Sequence, residues 1–539
     1  MNLRHIKRRC AWLLTVSVAM TATVPGTAMA DIRTGGALRT LTVPKEEADS
    51  PETVALEDKA DTRSTPSNAH VKAVESFNKK VTFVGTDGKE LTGDERNIPE
   101  TEDSFPYLSQ GPGRTKGNID LESYGYTEKE YFLKGTANVY SAEEGVLKVD
   151  KEDKEYVNRI IMFQPEDMSD FSGVVYIDIL NASSKVDLPD IWRRSYDYYM
   201  RSGHIYIGIT SKDVNVESLK RFDPDRYDAL TWKVDGETEN GLFWDMLAQV
   251  GTMLKTEKSP LLYGGQYSGD VWTYVTGQSQ SGFYVNTFVN NFIEANHMPE
   301  DAEAIDDPEY LLTEEYKDTP HIFDGFLNMV GGMTSAAINS SSTAIRTSEP
   351  VRNTDVPYIL MVGENDYNPA PVREDSDEED NLYRHYVVAG ASHSQKIFLP
   401  DMTDEIQIRA GRPAGEYPGF KVREEDGKPH TVSDMNMDVF VNGALWNLHQ
   451  WAAEGIPAPY GPSTDEIEGT VESRRFIPER DEYGNMSTGI MSPQLTVPVA
   501  SYYGGANGAF STDGGSMVYL DEEVIQELYG GREDYLEKY

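Results

Sequence analysis

Val275-Thr276-Gly277-Gln278-Ser279-Gln280-Ser281-Gly282-Phe283 is the most informative stretch of this sequence. A β-branched, apolar run leads into it, and residues with helical spacing follow from Phe283 to Ala295. A strand that turns this abruptly into a helix needs small side chains two positions before and two after its apex. Larger ones would bring Cβ atoms into the neighbouring strand and helix. Gly277 and Ser281 meet that need, Gly282 adds a second small position after the apex, and Ser279 stands at the apex. Such a turn is a nucleophile elbow: it lifts a hydroxyl above the sheet edge and aims a helix N-terminus at it. The N–H of Gln280 is then placed to stabilise an oxyanion.

A serine nucleophile needs a base and a group that orients the base, and in a sheet of this kind the chain order is serine, acid, histidine. Both partners lie downstream. The apolar run Pro357 to Val362 ends in Gly363-Glu364-Asn365-Asp366, which offers Asp366 as first choice for the acid and Glu364 as second. The run His385 to Ala389 ends in Gly390-Ala391-Ser392-His393, which makes His393 the expected base. The other histidines fit blander roles. His385 lies within a strand, His449 within a helix, and His204 and His321 open strands, while His70, His297 and His430 stand in polar text and read as solvated. A second oxyanion donor is expected after the run that ends Leu180-Asn181-Ala182-Ser183, from the backbone N–H of Asn181 or of Ala182.

Around these turns the text alternates. Strand-like runs at Gly173–Leu180, His204–Ile209, Val271–Val275, Pro357–Val362 and His385–Ala389 are separated by helical spacing, as at Asp190–Tyr196 and Leu242–Val250. Short apolar strands between helices imply a mostly parallel α/β sheet covered by helices on both faces. No internal repeat is visible, which disfavours solenoids and propellers.

Composition narrows the function. The 539 residues carry 49 Lys and Arg against 90 Asp and Glu, for a net charge of −41. A chain this acidic repels nucleic acid and anionic membranes. Residues 1–30 differ from the rest: a basic start (Arg4, Lys7, Arg8, Arg9), an apolar run from Ala11 to Met20, and Ala28-Met29-Ala30. That order predicts a secretory signal cleaved after Ala30, and the run is too short for a permanent membrane span. The one cysteine, Cys10, falls inside it. A processed chain would have no thiol, which excludes disulfides, zinc–thiolate sites and a cysteine nucleophile. Residues 31–116 are polar and acidic and read as a largely flexible or loosely docked leader, with one strand-like run, Lys80–Val84. Residues 117–539 read as one domain with acidic insertions near 298–317 and 370–382. The first insertion is expected at the rim of the site, as a lid or specificity element. The run Asp375-Ser376-Asp377-Glu378-Glu379-Asp380 lacks the glycine a calcium loop needs and reads as solvated. No metal or cofactor is expected.

The elbow Gly277-Gln278-Ser279-Gln280-Ser281-Gly282 resembles the G-x-S-Q-S-G motif of a bacterial α/β-hydrolase family known only as alpha/beta hydrolase domain proteins. The resemblance extends to Tyr124–Phe132, Gly135–Tyr140, Phe171–Asn181, Asp223–Leu230, Phe323-Asp324-Gly325, Asp481–Asn485 and Val497–Ala500, and so spans roughly residues 117–505. Phe283 stands where many of these relatives have a basic residue. The resemblance implies the α/β-hydrolase fold, Ser279 as nucleophile and His393 as base, with the acid shared between Glu364 and Asp366. It implies no particular substrate. The reading is therefore a secreted serine hydrolase acting on a small-molecule ester. The alternatives are an acyltransferase or amidase using the same triad, or a silent binding protein on a hydrolase scaffold.

Overall fold

A computed structural model describes residues 66–539, except 118, 144, 263–266, 268, 344, 347–350, 368–372, 396–400, 415–428, 463–465, 473–474 and 506–512. The expected signal segment and residues 31–65 lie outside the described residues, as do 370–372 of the second insertion.

The centre is an eleven-stranded mixed sheet. Its strands are β1 (Thr82–Val84), β2 (Glu90–Leu91), β3 (Tyr126–Glu143), β4 (Val146–Pro165), β5 (Val174–Ile179), β6 (Ile205–Ile209), β7 (Trp272–Gln278), β8 (Gly325–Met329), β9 (Tyr358–Gly363), β10 (Ser376–Glu378) and β11 (Asn381–Val388). Their spatial order is β10-β11-β9-β8-β7-β5-β6-β4-β3-β1-β2. The six strands from β11 to β6 are all parallel. Antiparallel strands finish both edges, including the long β3–β4 hairpin. β5 and β7 to β9 are buried almost throughout, as strands covered on both faces must be.

Five helices matter for the site and its support: α1 (Asn68–Phe77), α2 (Asp190–Ser202), α3 (Phe243–Lys255), α4 (Gln280–Phe292) and α5 (Asp438–Glu454). They divide between the faces by side-chain alternation. Tyr274 of β7 packs with Tyr176 of β5, whose ring meets Tyr199 of α2, and its hydroxyl lies 2.9 Å from Nδ1 of His449 in α5. Phe326 of β8 pairs in register with Val275, so it faces the other way, where it meets Phe288 of α4. α1 and α3 join that second face through Phe77–Phe288 and Trp244–Phe292.

Two expectations change here. The described part of the segment expected as a loose leader, residues 66–116, contributes α1 and β2 to the folded body beside β1, which lies in the strand-like run Lys80–Val84, with Phe77 and Val74 fully buried. Few apolar residues stand in that segment, but they fall on one helix face and one strand, and Ser76 donates to the buried Asp245 of α3 at 2.5 Å. The second change concerns the insertion after α4. The helix starts at the elbow and runs back along the sheet for 13 residues, roughly 20 Å. Residues 298–317 therefore lie beyond its far end, before β8 begins, and not at the rim of the elbow. Among the described residues, no helix is long and apolar enough to cross a membrane.

Candidate active site

β7 ends at Gln278 and α4 begins at Gln280, so one residue makes the whole turn. That residue, Ser279, has φ 55° and ψ −116°. A non-glycine residue at positive φ is strained and persists only where its surroundings over-determine it. The surroundings here are tight. A Cβ on Gly277 would come 2.5 Å from the carbonyl oxygen of Ser281, and one on Gly282 would collide with Oδ1 of Asn328 and lie 3.0 Å from Cα of Gly331. The small residues thus serve two contacts. Gly277 lets the turn close on itself, and Gly282 lets α4 lie against the loop after β8. Ser281, expected to be small for the first reason, is buried beside Gly277.

The parallel sheet brings the ends of β9 and β11 to the same edge as the elbow. His393 follows β11, and its Nε2 lies 2.8 Å from Oγ of Ser279. Its Nδ1 lies 2.7 Å from Oδ1 of Asp366, three residues beyond β9. Burial pulls the imidazole pKa down, but the charge and hydrogen bond of Asp366, together with the charges of Asp513 and Asp190, outweigh it and hold the group above its ordinary value. Glu364, the second choice for the acid, is elsewhere engaged. It is fully buried, and its Oε1 accepts from Nη2 of Arg480 at 2.5 Å. Burial raises its carboxyl pKa against the pull of that guanidinium.

The oxyanion side is corrected in part. The N–H of Gln280 opens α4, where first-turn amides have no partner within the helix. The N–H of Asn181 donates to the carbonyl of Leu188 at 3.0 Å, so it is not free for an oxyanion. Asn181 instead braces the elbow: its Nδ2 donates to the Gln278 carbonyl at 2.8 Å, and its Oδ1 accepts from the N–H of Ser183 at 2.7 Å. Ala182, the other expected donor, stands next to it.

Several supporting residues give no signal in the sequence. Arg194 of α2 donates to Oδ2 of Asp190 at 3.0 Å and also bonds Gln395, two residues past His393. Gln395 in turn donates to the Ser392 carbonyl at 2.9 Å, which fixes the histidine loop. Arg480, far along the chain, neutralises Glu364. These are ordinary charged and amide side chains in sequence, and only the fold brings them to the site.

The sequence profile described as alpha/beta hydrolase domain matches residues 93–539. This chain belongs to the alpha/beta hydrolase domain family. No curated protein matches it. Solved structures that resemble this alpha/beta hydrolase include an alpha-beta serine hydrolase homologue from Coxiella burnetii, at 8% identity and TM-score 0.22, over 44% of this chain and 84% of that one. Esterase 2 of Thermogutta terrifontis is similar at 12% identity and TM-score 0.23, over 46% and 81%. Esterase B of Lactobacillus rhamnosis is similar at 12% identity and TM-score 0.21, over 48% and 74%. Likenesses this distant carry no information about the substrate of this alpha/beta hydrolase.

Proposed function

We propose that the protein is a serine hydrolase that cleaves carboxylic esters through an acyl-enzyme on Ser279. The observation that carries this reading is the unbroken chain Asp366–His393–Ser279, at 2.7 and 2.8 Å, ending on a serine held at positive φ.

The steps follow from the geometry. Oγ of Ser279 attacks the ester carbonyl while Nε2 of His393 takes its proton. Asp366 accepts the Nδ1–H and stabilises the imidazolium that forms. The negative charge on the former carbonyl oxygen is received by the N–H groups of Gln280 and Ala182, the first at the positive end of α4. When the tetrahedral adduct collapses, the C–O bond to the alcohol breaks and His393 returns the proton to the leaving oxygen. Water then repeats the sequence on the acyl-enzyme and releases the acid.

A panel of p-nitrophenyl esters of increasing acyl length, run with and without an added alcohol, tests the reaction class. Hydrolysis of at least one ester is expected, lost on the order of 10⁴-fold or more in Ser279→Ala. Turnover equal in parent and variant would refute the proposal. Export is part of the same reading, supported by the order of basic, apolar and small residues in 1–30. The secreted protein is expected to begin at Asp31, which N-terminal sequencing checks.

A further inference from the structure

At the end of the sheet opposite the elbow, His297, His321 and Asp355 come together, and one ligand atom from each lies within 4.8 Å of the others. His297 follows α4, His321 precedes β8, and Asp355 precedes β9. His297 and His321 face each other as an isolated antiparallel bridge, with ring centroids 4.4 Å apart. The next pair inward is joined by the Met298 N–H to the Pro320 carbonyl at 2.9 Å. The two histidines thus close the neck of the loop 298–320. This pairing corrects both sequence expectations: His297 is buried, not solvated, and His321 stands four residues before its strand.

We propose that this cluster is a zinc site that fastens the neck of the 298–320 insertion to the segment leading into β9. Two imidazoles and one carboxylate, with water in the fourth position, form a donor set that suits Zn²⁺. Nε2 of His321 already lies 3.4 Å from Oδ2 of Asp355. Tetrahedral zinc with bonds of about 2.0–2.1 Å spaces neighbouring ligand atoms roughly 3.3 Å apart, so that pair stands at coordination distance. Nδ1 of His297 lies 3.1 Å from the Thr319 carbonyl, to which a proton on that nitrogen donates. That bond selects the tautomer whose Nε2 lone pair is left for a metal, an arrangement common behind metal-ligating histidines.

Two sets of charges border the cluster: the Lys255 ammonium, which donates to the His321 carbonyl at 2.8 Å and is paired with Asp324, and the acidic wall of the adjoining loop. Thr319 and Pro320 also line a cavity of about 960 Å³ whose wall carries Glu300, Asp301, Asp306, Asp307, Glu315 and Asp318. One sign of charge on a concave wall raises the local concentration of counter-ions. Without an ion, the His321 imidazole pairs with the Asp355 carboxylate, and the His297 ring faces that of His321. With one, three segments far apart in sequence are joined at a single point.

The test uses the full-length protein without a histidine tag, stripped with a chelator and then titrated with zinc chloride by calorimetry. Saturable binding of about one ion per chain is expected, with a rise in melting temperature on loading. Affinity is expected to fall roughly tenfold or more in Asp355→Asn and to vanish in His321→Ala, together with the rise in melting temperature. Asp355 is exposed, so its amide variant probes the site without disturbing the core. Far-ultraviolet circular dichroism verifies that each variant is folded. The absence of saturable binding to the parent would overturn the proposal, as would undiminished binding to Asp355→Asn and His321→Ala.

Discussion

Nε2 of His393 lies 2.8 Å from Oγ of Ser279, across 114 positions of sequence. The pair meets because β7 and β11 run parallel in one sheet and both end at the same edge. The proposed chemistry depends on that meeting, and each part of the arrangement can be tested separately.

Asp366 and Glu364 should separate cleanly. Asp366→Asn removes the charge that orients the imidazole, and kcat should fall on the order of 10⁴-fold. Glu364→Gln leaves Ser279, His393 and Asp366 in place. Its effect should appear in stability, about 2 kcal/mol for the weakened pair with Arg480, with kcat little changed. Steady-state kinetics beside chemical denaturation checks both. A large kcat loss confined to the Glu364 variant would reverse the assignment of the acid.

The pH profile has a definite sign. His393 must be neutral to accept the serine proton, and its environment holds its pKa above 6.5. The acidic limb of kcat/KM should therefore have its midpoint above 6.5, and Asp366→Asn should move it down. The same shift bears on stability. Because the folded pKa is raised, the contribution of this group is complete below about 6.5 and is lost as pH rises through the folded value. A midpoint below 6.5 in the parent would contradict the geometry around Nδ1.

Gly282→Ala probes the elbow without touching a reacting atom. The added methyl group would collide with Asn328 Oδ1, which is held by the Gly331 N–H at 3.0 Å and so cannot easily move. A cost of about 1–3 kcal/mol is expected, together with reduced activity as α4 shifts away from β8. Unchanged stability would mean that the contact is looser than described.

Phe77→Ala probes the early segment. Phe77 is fully buried, and its ring lies 5.9 Å from those of Phe288 and Phe292. Truncation should cost about 3–5 kcal/mol in urea denaturation. A surface-like effect below about 0.5 kcal/mol would return this segment to the loose leader that its composition suggests.

The legible and illegible parts of this chain divide by physical cause. The parallel strands could be read because burial on both faces leaves near-continuous apolar runs, as in Val174–Ile179 and Tyr358–Gly363. The elbow could be read because its steric demands fall on consecutive residues. Helix α1 was hidden because its few apolar residues act only through a distant partner face, with Ser76 reaching Asp245 across 169 positions. The strand expected to open at His321 starts only at Gly325, and Gly325-Phe326-Leu327-Asn328-Met329 is short and interrupted by asparagine, whose side chain is satisfied by Asn286 and Gly332. The bond from the Asn181 N–H to Leu188 depends on a loop closure that no local pattern encodes. The cluster of His297, His321 and Asp355 has no motif spacing, since three separate chain segments supply it.

The central claim is that Ser279 is a nucleophile activated by His393. Mass spectrometry of the folded protein after reaction with a fluorophosphonate tests it most directly. One adduct per chain is predicted, on the peptide containing Ser279, with none in Ser279→Ala and a rate sharply reduced in His393→Ala. An unlabelled folded protein, or an adduct on another residue that persists in Ser279→Ala, would contradict the account.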